Sequence, residues 1–271
     1  MRPRKRFGQH WLRSDEILSQ IIAAAELQPT DRVLEIGPGQ GALTRRILPW
    51  VQGLVSVELD WDLHTQLEQE FGDRENFRLL RGDFLATSLE PLCQDSDRFW
   101  PLSKVVANIP YNITGPILER LIGRISRPNP QPYERIVLLV QKEVAERVCA
   151  APGSKVFGAL SVRCQYHADC EIICDVPPAA FKPPPKVESA VLRIWPRPPV
   201  DAARDPRLLE TLVKVGFATK RKMLRNNLKG LVPPERLEIA FAAVGIDPEA
   251  RAETVMLPKW VALANVLADA D

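Results

Sequence analysis

Apolar positions along the chain follow two patterns that alternate. Short β-branched or aliphatic runs, "RVLEIG", "LVSVELD", "FRLLRGDF", "KVVANIP" and "RIVLLVQ", read as buried strands. Segments with helical spacing lie between them: "ALTRRILPWV" after the first run, "WDLHTQLEQEF" after the second and "GPILERLIGRI" after the fourth. Leu63, Leu67 and Phe71 recur at four-residue spacing, as do Leu118 and Ile122. Strands alternating with helices in this way predict a parallel sheet covered on both faces. Two more strand candidates, "CEIICDV" and "SAVLRIW", are joined only by a proline-rich loop, too short for a helical crossover. They are expected to pair antiparallel at one end of the sheet.

After them "WPRPPVDAARDP", with four prolines and no apolar periodicity, reads as a linker. Beyond it "RLLETLVKVGF", "PERLEIAFAAVG" and "LPKWVALANVLADA" all have helical patterns, with Gly230 and Gly245 as stops. The expected organisation is an α/β domain over residues 1–199 and a small all-α domain over residues 200–271.

An apolar content of 45% suits a packed core, and no apolar run reaches the ~18 residues of a membrane span, so no membrane partner is expected. Five cysteines form no regular framework, which suits reduced thiols and a cytoplasmic setting. Cys164, His167, Cys170 and Cys174 lie close in sequence, but Cys170, Ile172 and Cys174 alternate along one strand face and no C-x-x-C pair is present. Small packed thiols fit better than a metal site.

The net charge is only +2, yet positive charge is concentrated. Arg2, Arg4, Lys5, Arg6 and Arg13 fall in an acid-free stretch at the N-terminus, which also fits an organelle address as a second reading. Lys220, Arg221, Lys222, Arg225 and Lys229 fall in another. Either run alone suits a solvated face, but the two together favour a polyanionic partner. No exposed heptad or apolar stripe stands out, so a monomer is expected.

"VLEIGPGQGALT" places Gly37, Gly39 and Gly41 between the first strand and a helix, where glycine lets the backbone turn tightly beside a ligand. Gly37-x-Gly39-x-x-Ala42 satisfies a loose dinucleotide pattern, which is compatible with NAD. Three acids shift the balance. Glu35 precedes the glycines, Glu58 closes the second strand, and Asp83 closes the third. A carboxylate after the second strand suits a ribose diol, and one after the third suits an exocyclic amine. Carboxylates beside the loop suit a cation better than a pyrophosphate. S-adenosylmethionine, which has ribose, adenine and a sulfonium but no phosphate, meets this pattern.

The fourth strand ends in Asn108-Ile109-Pro110-Tyr111. One reading is a clamp for an amino group being methylated. The Asn108 side-chain oxygen and the Ile109 carbonyl would accept its two N–H bonds, Pro110 would fix the backbone, and Tyr111 would offer a flat face to a base. The other reading is an ordinary strand exit with an Asx-turn at Asn108. The four residues alone favour neither.

Taken together, "RKRFGQHWL", "VLEIGPGQGALT", "VELD", "GDFL", "NIPYNITGPIL", "VQKEVAERV", "GALSV", "FKPPPKVESAVL" and "FATKRKMLRNNL" resemble, in order and nearly end to end, the ribosomal RNA adenine N6-dimethyltransferases, and most of all their small-subunit branch. The resemblance implies a class I S-adenosylmethionine-dependent methyltransferase sheet with a helical C-terminal domain. It implies methylation of two adjacent adenosines in a hairpin loop near the 3′ end of small-subunit rRNA. His10, Leu12 and Gly37 would contact the cofactor, Glu58 the ribose and Asp83 the adenine, and Asn108 would line both cofactor and target. Tyr111 and Phe181 would sandwich the target base. The family usually has Asn where this chain has His10, and often Leu where it has Ile109. Rival readings are a large-subunit methyltransferase of the resistance type, a non-catalytic assembly protein and a nicotinamide oxidoreductase.

Overall fold

The structure, a computed structural model, describes residues 10–269. Arg2, Arg4, Lys5 and Arg6 lie outside the described residues. In chain order the elements of the first half are β1 (Trp11–Leu12), α1 (Asp15–Ala25), β2 (Arg32–Ile36), α2 (Thr44–Ile47), β3 (Gly53–Glu58), α3 (Trp61–Phe71), β4 (Phe77–Arg81), α4 (Glu90–Cys93), β5 (Lys104–Asn108) and α5 (Thr114–Ile122). There follow β6 (Gly123–Arg124), β7 (Arg127–Pro128), β8 (Arg135–Gln141), α6 (Lys142–Cys149), α7 (Ala159–His167), β9 (Ala168–Val176), β10 (Phe181–Lys182) and β11 (Ser189–Pro196). The chain closes with α8 (Pro206–Gly216), α9 (Leu224–Leu228), α10 (Pro234–Val244) and α11 (Leu257–Ala268).

Seven strands form one sheet in the order β4-β3-β2-β5-β8-β11-β9. The first five run parallel, β11 is antiparallel to β8, and β9 borders β11 at the edge. Val33, Leu34, Leu54, Val55, Val105, Val106 and the Ile136–Val140 run are fully buried, which explains why these strands read as continuous apolar runs. The strand order reverses beside β2, whose partners are β3 and β5. Ligands bind at such a reversal, outside the carboxyl ends of the strands.

Local chemistry altered two expected helices. "ALTRRILPWV" forms only the short α2 before a 3₁₀ turn at Leu48–Trp50, because Pro49 cannot extend the α-helical ladder. "GPILERLIGRI" stops at Ile122, where Gly123 takes a φ of +95° and leads into the β6–β7 hairpin.

The chain packs as two units. The first comprises residues 1–121, 131–145 and 171–196, and the second residues 122–130, 146–170 and 197–271. The second thus takes in more than the 200–271 segment. Phe157, Val162 and Tyr166 belong to the same buried cluster as Leu209, Leu212, Phe241 and Trp260. The Phe217 ring stacks on Trp260 with centroids 5.6 Å apart, and Phe157 meets Phe217 edge-on. Gly216 is glycine for want of room, since a Cβ there would stand 2.5 Å from the Trp260 ring.

Candidate active site

The carboxyl ends of β2, β3, β4 and β5 open onto a cavity of about 650 Å³. Of the residues singled out for cofactor contact, His10, Leu12, Gly37, Glu58, Asp83 and Asn108 all line it. Ile109, Pro110 and Tyr111 line it as well. Phe181 does not: its ring is buried at 4% exposure in the apolar core of the first unit. Its backbone pairs antiparallel with Leu12, which itself lines the cavity.

Two buried carboxylates stand at the glycine loop, with different hydrogen-bond partners. Glu58 accepts from the Gly39 amide at 3.1 Å on one oxygen and from the Asp60 amide at 2.8 Å on the other. Those bonds favour the ionised form, but burial outweighs them and raises its pKa above the usual carboxylate range. Glu35, 1% exposed, takes hydrogen bonds on Oε2 from Thr44 Oγ1 at 2.7 Å and Ser56 Oγ at 2.9 Å. Its Oε1 is buried without a partner, and burial pushes its pKa up to about 7. Gly37, at φ +67°, has open space where a side chain would begin. A buried acceptor and open backbone at one cavity wall suit a ligand that carries positive charge.

Asp83 is exposed and holds the loop after β4 by accepting from the Leu85 amide at 2.9 Å. The same loop is pinned from α5. Arg120 stacks over the Phe84 ring, 4.4 Å from its centroid, and donates to the Phe84 and Thr87 carbonyls. Replacing Arg120 with Ala would leave both carbonyls without their donor, at about 1–3 kcal/mol. The expected result is weaker methyl-donor affinity and faster hydrogen exchange over residues 83–88. Dialysis with labelled donor and exchange mass spectrometry check both.

The Asn108 side chain makes no Asx-turn. The residue two positions on is Pro110, which has no N–H to offer. Instead Asn108 Nδ2 donates to the His10 carbonyl at 3.1 Å. A carbonyl can only accept, so the amide orientation is fixed and Oδ1 is left for a ligand. The 3₁₀ turn that follows uses the Pro110 and Tyr111 carbonyls as acceptors, not that of Ile109. The Tyr111 hydroxyl meets the fully buried Ser189 hydroxyl at 2.5 Å.

Thr44, Ser56, Arg120 and Ser189 therefore support the site although sequence patterns singled out none of them, even where Thr44 and Ser189 fall within "VLEIGPGQGALT" and "FKPPPKVESAVL". The available signal was a single polar residue within an apolar strand, as Ser56 is in "LVSVE" and Ser189 before "AVLRI". Lys220, Arg221, Lys222 and Arg225 are not part of this cavity. They are exposed in the second unit, on a segment anchored by fully buried Leu224 and Leu228.

A mostly parallel sheet with this order, a glycine loop after β2, and acids closing β3 and β4 define a class I S-adenosylmethionine-dependent methyltransferase. A family model described as ribosomal RNA adenine dimethylase matches residues 1–269, and the chain belongs to that family. A protein of Picosynechococcus sp. called Ribosomal RNA small subunit methyltransferase A is 60% identical over 269 residues, spanning 99% of this chain and 98% of its own. Two solved structures share the fold. A dimethyladenosine transferase from Plasmodium falciparum has a TM-score of 0.77 at 24% identity, covering 94% of this chain and 96% of that one. The 23S rRNA methyltransferase ErmE has a TM-score of 0.72 at 26% identity, covering 95% and 99%. The chain is thus an rRNA adenine methyltransferase that uses S-adenosylmethionine.

Proposed function

We propose that this enzyme methylates N6 of two adjacent adenosines in the 3′-terminal hairpin loop of small-subunit rRNA, giving N6,N6-dimethyladenosines. It acts as a cytoplasmic monomer on an assembling small subunit. The observation that carries the reading is the fixed Asn108 amide, whose Nδ2 is committed to the His10 carbonyl while Oδ1 is left to accept from a ligand in the cavity. The identity with the small-subunit methyltransferase supports the choice of subunit.

S-adenosylmethionine supplies an electrophilic methyl group on a sulfonium. Glu58 holds its ribose hydroxyls, using carboxylate lone pairs that the two backbone amides leave free. Asp83 takes the adenine amine, while Leu12, Gly37 and His10 complete the wall. Glu35 Oε1 supplies negative charge toward the cationic part.

Asn108 Oδ1 and the Ile109 carbonyl accept the two N–H bonds of the target amine. That geometry turns the nitrogen lone pair, otherwise delocalised into the base, toward the methyl group. The methylated nitrogen carries a positive charge and releases its proton to water, so no side-chain base is required. Tyr111 gives the base a stacking face worth ~1–3 kcal/mol, and Ser189 anchors its hydroxyl. Phe181 packs in the same apolar core as Leu12, the residue it pairs with, and so supports the cavity wall.

Lys220, Arg221, Lys222 and Arg225, with Arg4, Lys5 and Arg6 of the N-terminal run, bind the rRNA backbone. Reversing charge at Arg221 and Arg225 is expected to weaken rRNA binding and to lower the salt slope by about 2, one for each phosphate no longer neutralised. Filter binding across a salt series measures this, and an unchanged slope counts against the patch.

The likeness to ErmE favours one second reading, methylation of large-subunit rRNA. Labelled S-adenosylmethionine, offered with under-methylated small and large subunits, separates the two. Dimethyladenosine confined to small-subunit RNA is the expected result, and label in large-subunit RNA overturns it.

A further inference from the structure

Three parts of the proposed target site meet at one residue. The His10 ring lies stacked on the Tyr111 ring, with centroids 5.9 Å apart and planes 22° apart. Its Nδ1 lies 2.9 Å from the Pro183 carbonyl, which follows directly on β10. A carbonyl has no proton to give, so Nδ1 carries the hydrogen and donates it. The His10 backbone carbonyl takes the Asn108 amide proton. The β1–β10 pairing begins one residue further on, with Trp11 opposite Lys182 and Leu12 opposite Phe181. His10 thus leaves the end of a hydrogen-bonded ribbon, and little slack separates its ring from the Phe181–Pro183 segment.

We infer that the His10 side chain is a positioning residue for Tyr111: it tethers the stacking ring to the Phe181–Pro183 segment, so that Tyr111 holds one orientation beside Asn108. This goes beyond any contact His10 makes with the methyl donor, and it rests on the reading of Tyr111 as the face for the target base. Imidazole suits the task because it combines a flat face with an in-plane N–H donor. Asparagine keeps a donor but has no ring face. Phenylalanine keeps the face but has no donor.

The test is single-turnover methylation of under-methylated small subunits by the full chain, with donor affinity measured in parallel by equilibrium dialysis of labelled S-adenosylmethionine. His10→Ala is expected to slow the methylation rate about 10- to 100-fold, the scale of a reactant held slightly out of place. Donor affinity, to which His10 contributes as part of the cavity wall, is expected to fall by clearly less than the rate does, which marks the remaining loss as specific to the reacting geometry. His10→Asn and His10→Phe should each recover only part of the rate. In a Tyr111→Leu background His10→Ala should add no further loss, because no ring remains to be held, whereas a general structural role would multiply the two losses.

A rate unchanged by His10→Ala overturns the inference, as does a loss fully matched by donor affinity or one that multiplies with Tyr111→Leu. Full activity of Tyr111→Leu itself would instead sink the stacking reading. A slow Tyr111→Leu beside a fast His10→Ala would leave that reading standing and remove only the tether. Should His10→Ala fail to fold, His10→Asn carries the same comparison, because it retains an N–H for the Pro183 carbonyl.

Discussion

Asn108→Ala is expected to lower the rate of methyl transfer by at least about 100-fold while donor affinity changes by only a few-fold. The substitution removes the acceptor that would orient one N–H of the target amine and leaves the cofactor wall of Glu35, Gly37, Glu58 and Asp83 in place. It also frees the His10 carbonyl, so part of the loss comes from a slacker N-terminal segment. Asn108→Asp separates the two contributions. It keeps an acceptor oxygen but has no N–H for the His10 carbonyl, and it sets negative charge against that oxygen. A rate for Asp close to that for Ala would show that the fixed orientation matters as much as the oxygen itself. Single-turnover assays and donor dialysis on the three proteins give the comparison. Wild-type rates in Asn108→Ala would remove the clamp from the mechanism.

The second large effect concerns Glu35 and pH. Burial raises its pKa to about 7 in the folded chain, from an ordinary value of 4.5. The native state therefore keeps this proton in a range where the unfolded chain has lost it. The favourable contribution is complete below about pH 4.5, declines as pH rises and is gone above about pH 7. The groups facing the carboxyl are Thr44 and Ser56, which favour ionisation, and Glu58, which opposes it. Glu35→Gln, neutral throughout, is expected to match wild type near pH 4.5 and to exceed it at pH 8 by at most about 3 kcal/mol. Thermal melts across that range measure the difference, and parallel curves would show that Glu35 ionises normally. The methyl donor should act in the opposite sense. Its positive charge favours ionised Glu35, so binding below pH 7 expels a proton, and affinity rises by up to about tenfold per pH unit. That rise should be smaller in Glu35→Gln, in which only the titration of Glu58 and the other shared groups remains.

How much of this could be read from the letters varied with distance along the chain. Every strand of the sheet stood out: the central ones as apolar runs buried on both faces, the edge strands β4 and β9 as shorter apolar runs. Glu35, Gly37, Glu58, Asp83 and Asn108 stood out too, since each is a polar or glycine residue placed where such a run stops. The contacts that orient them did not. Asn108 reaches His10 across 98 residues, and Tyr111 reaches Ser189 across 78. The missing N–H of Pro110 excludes an Asx-turn from the letters themselves, but nothing local in "NIPYN" points to those distant partners. Phe181 shows the converse: an aromatic in a proline-rich loop looks available, yet pairing with Leu12 buries it.

The division of the chain has a consequence for synthesis and for trimming. Phe157, Val162 and Tyr166 emerge from the ribosome well before Leu209, Phe241 and Trp260, the residues that cover them. Until the last helices arrive, this apolar surface has no native partner, and the nascent chain carries it exposed. Cutting at the proline-rich linker would make that condition permanent. A shortened chain ending near residue 200 would hold a complete glycine loop and Asn108, and it is expected to aggregate all the same.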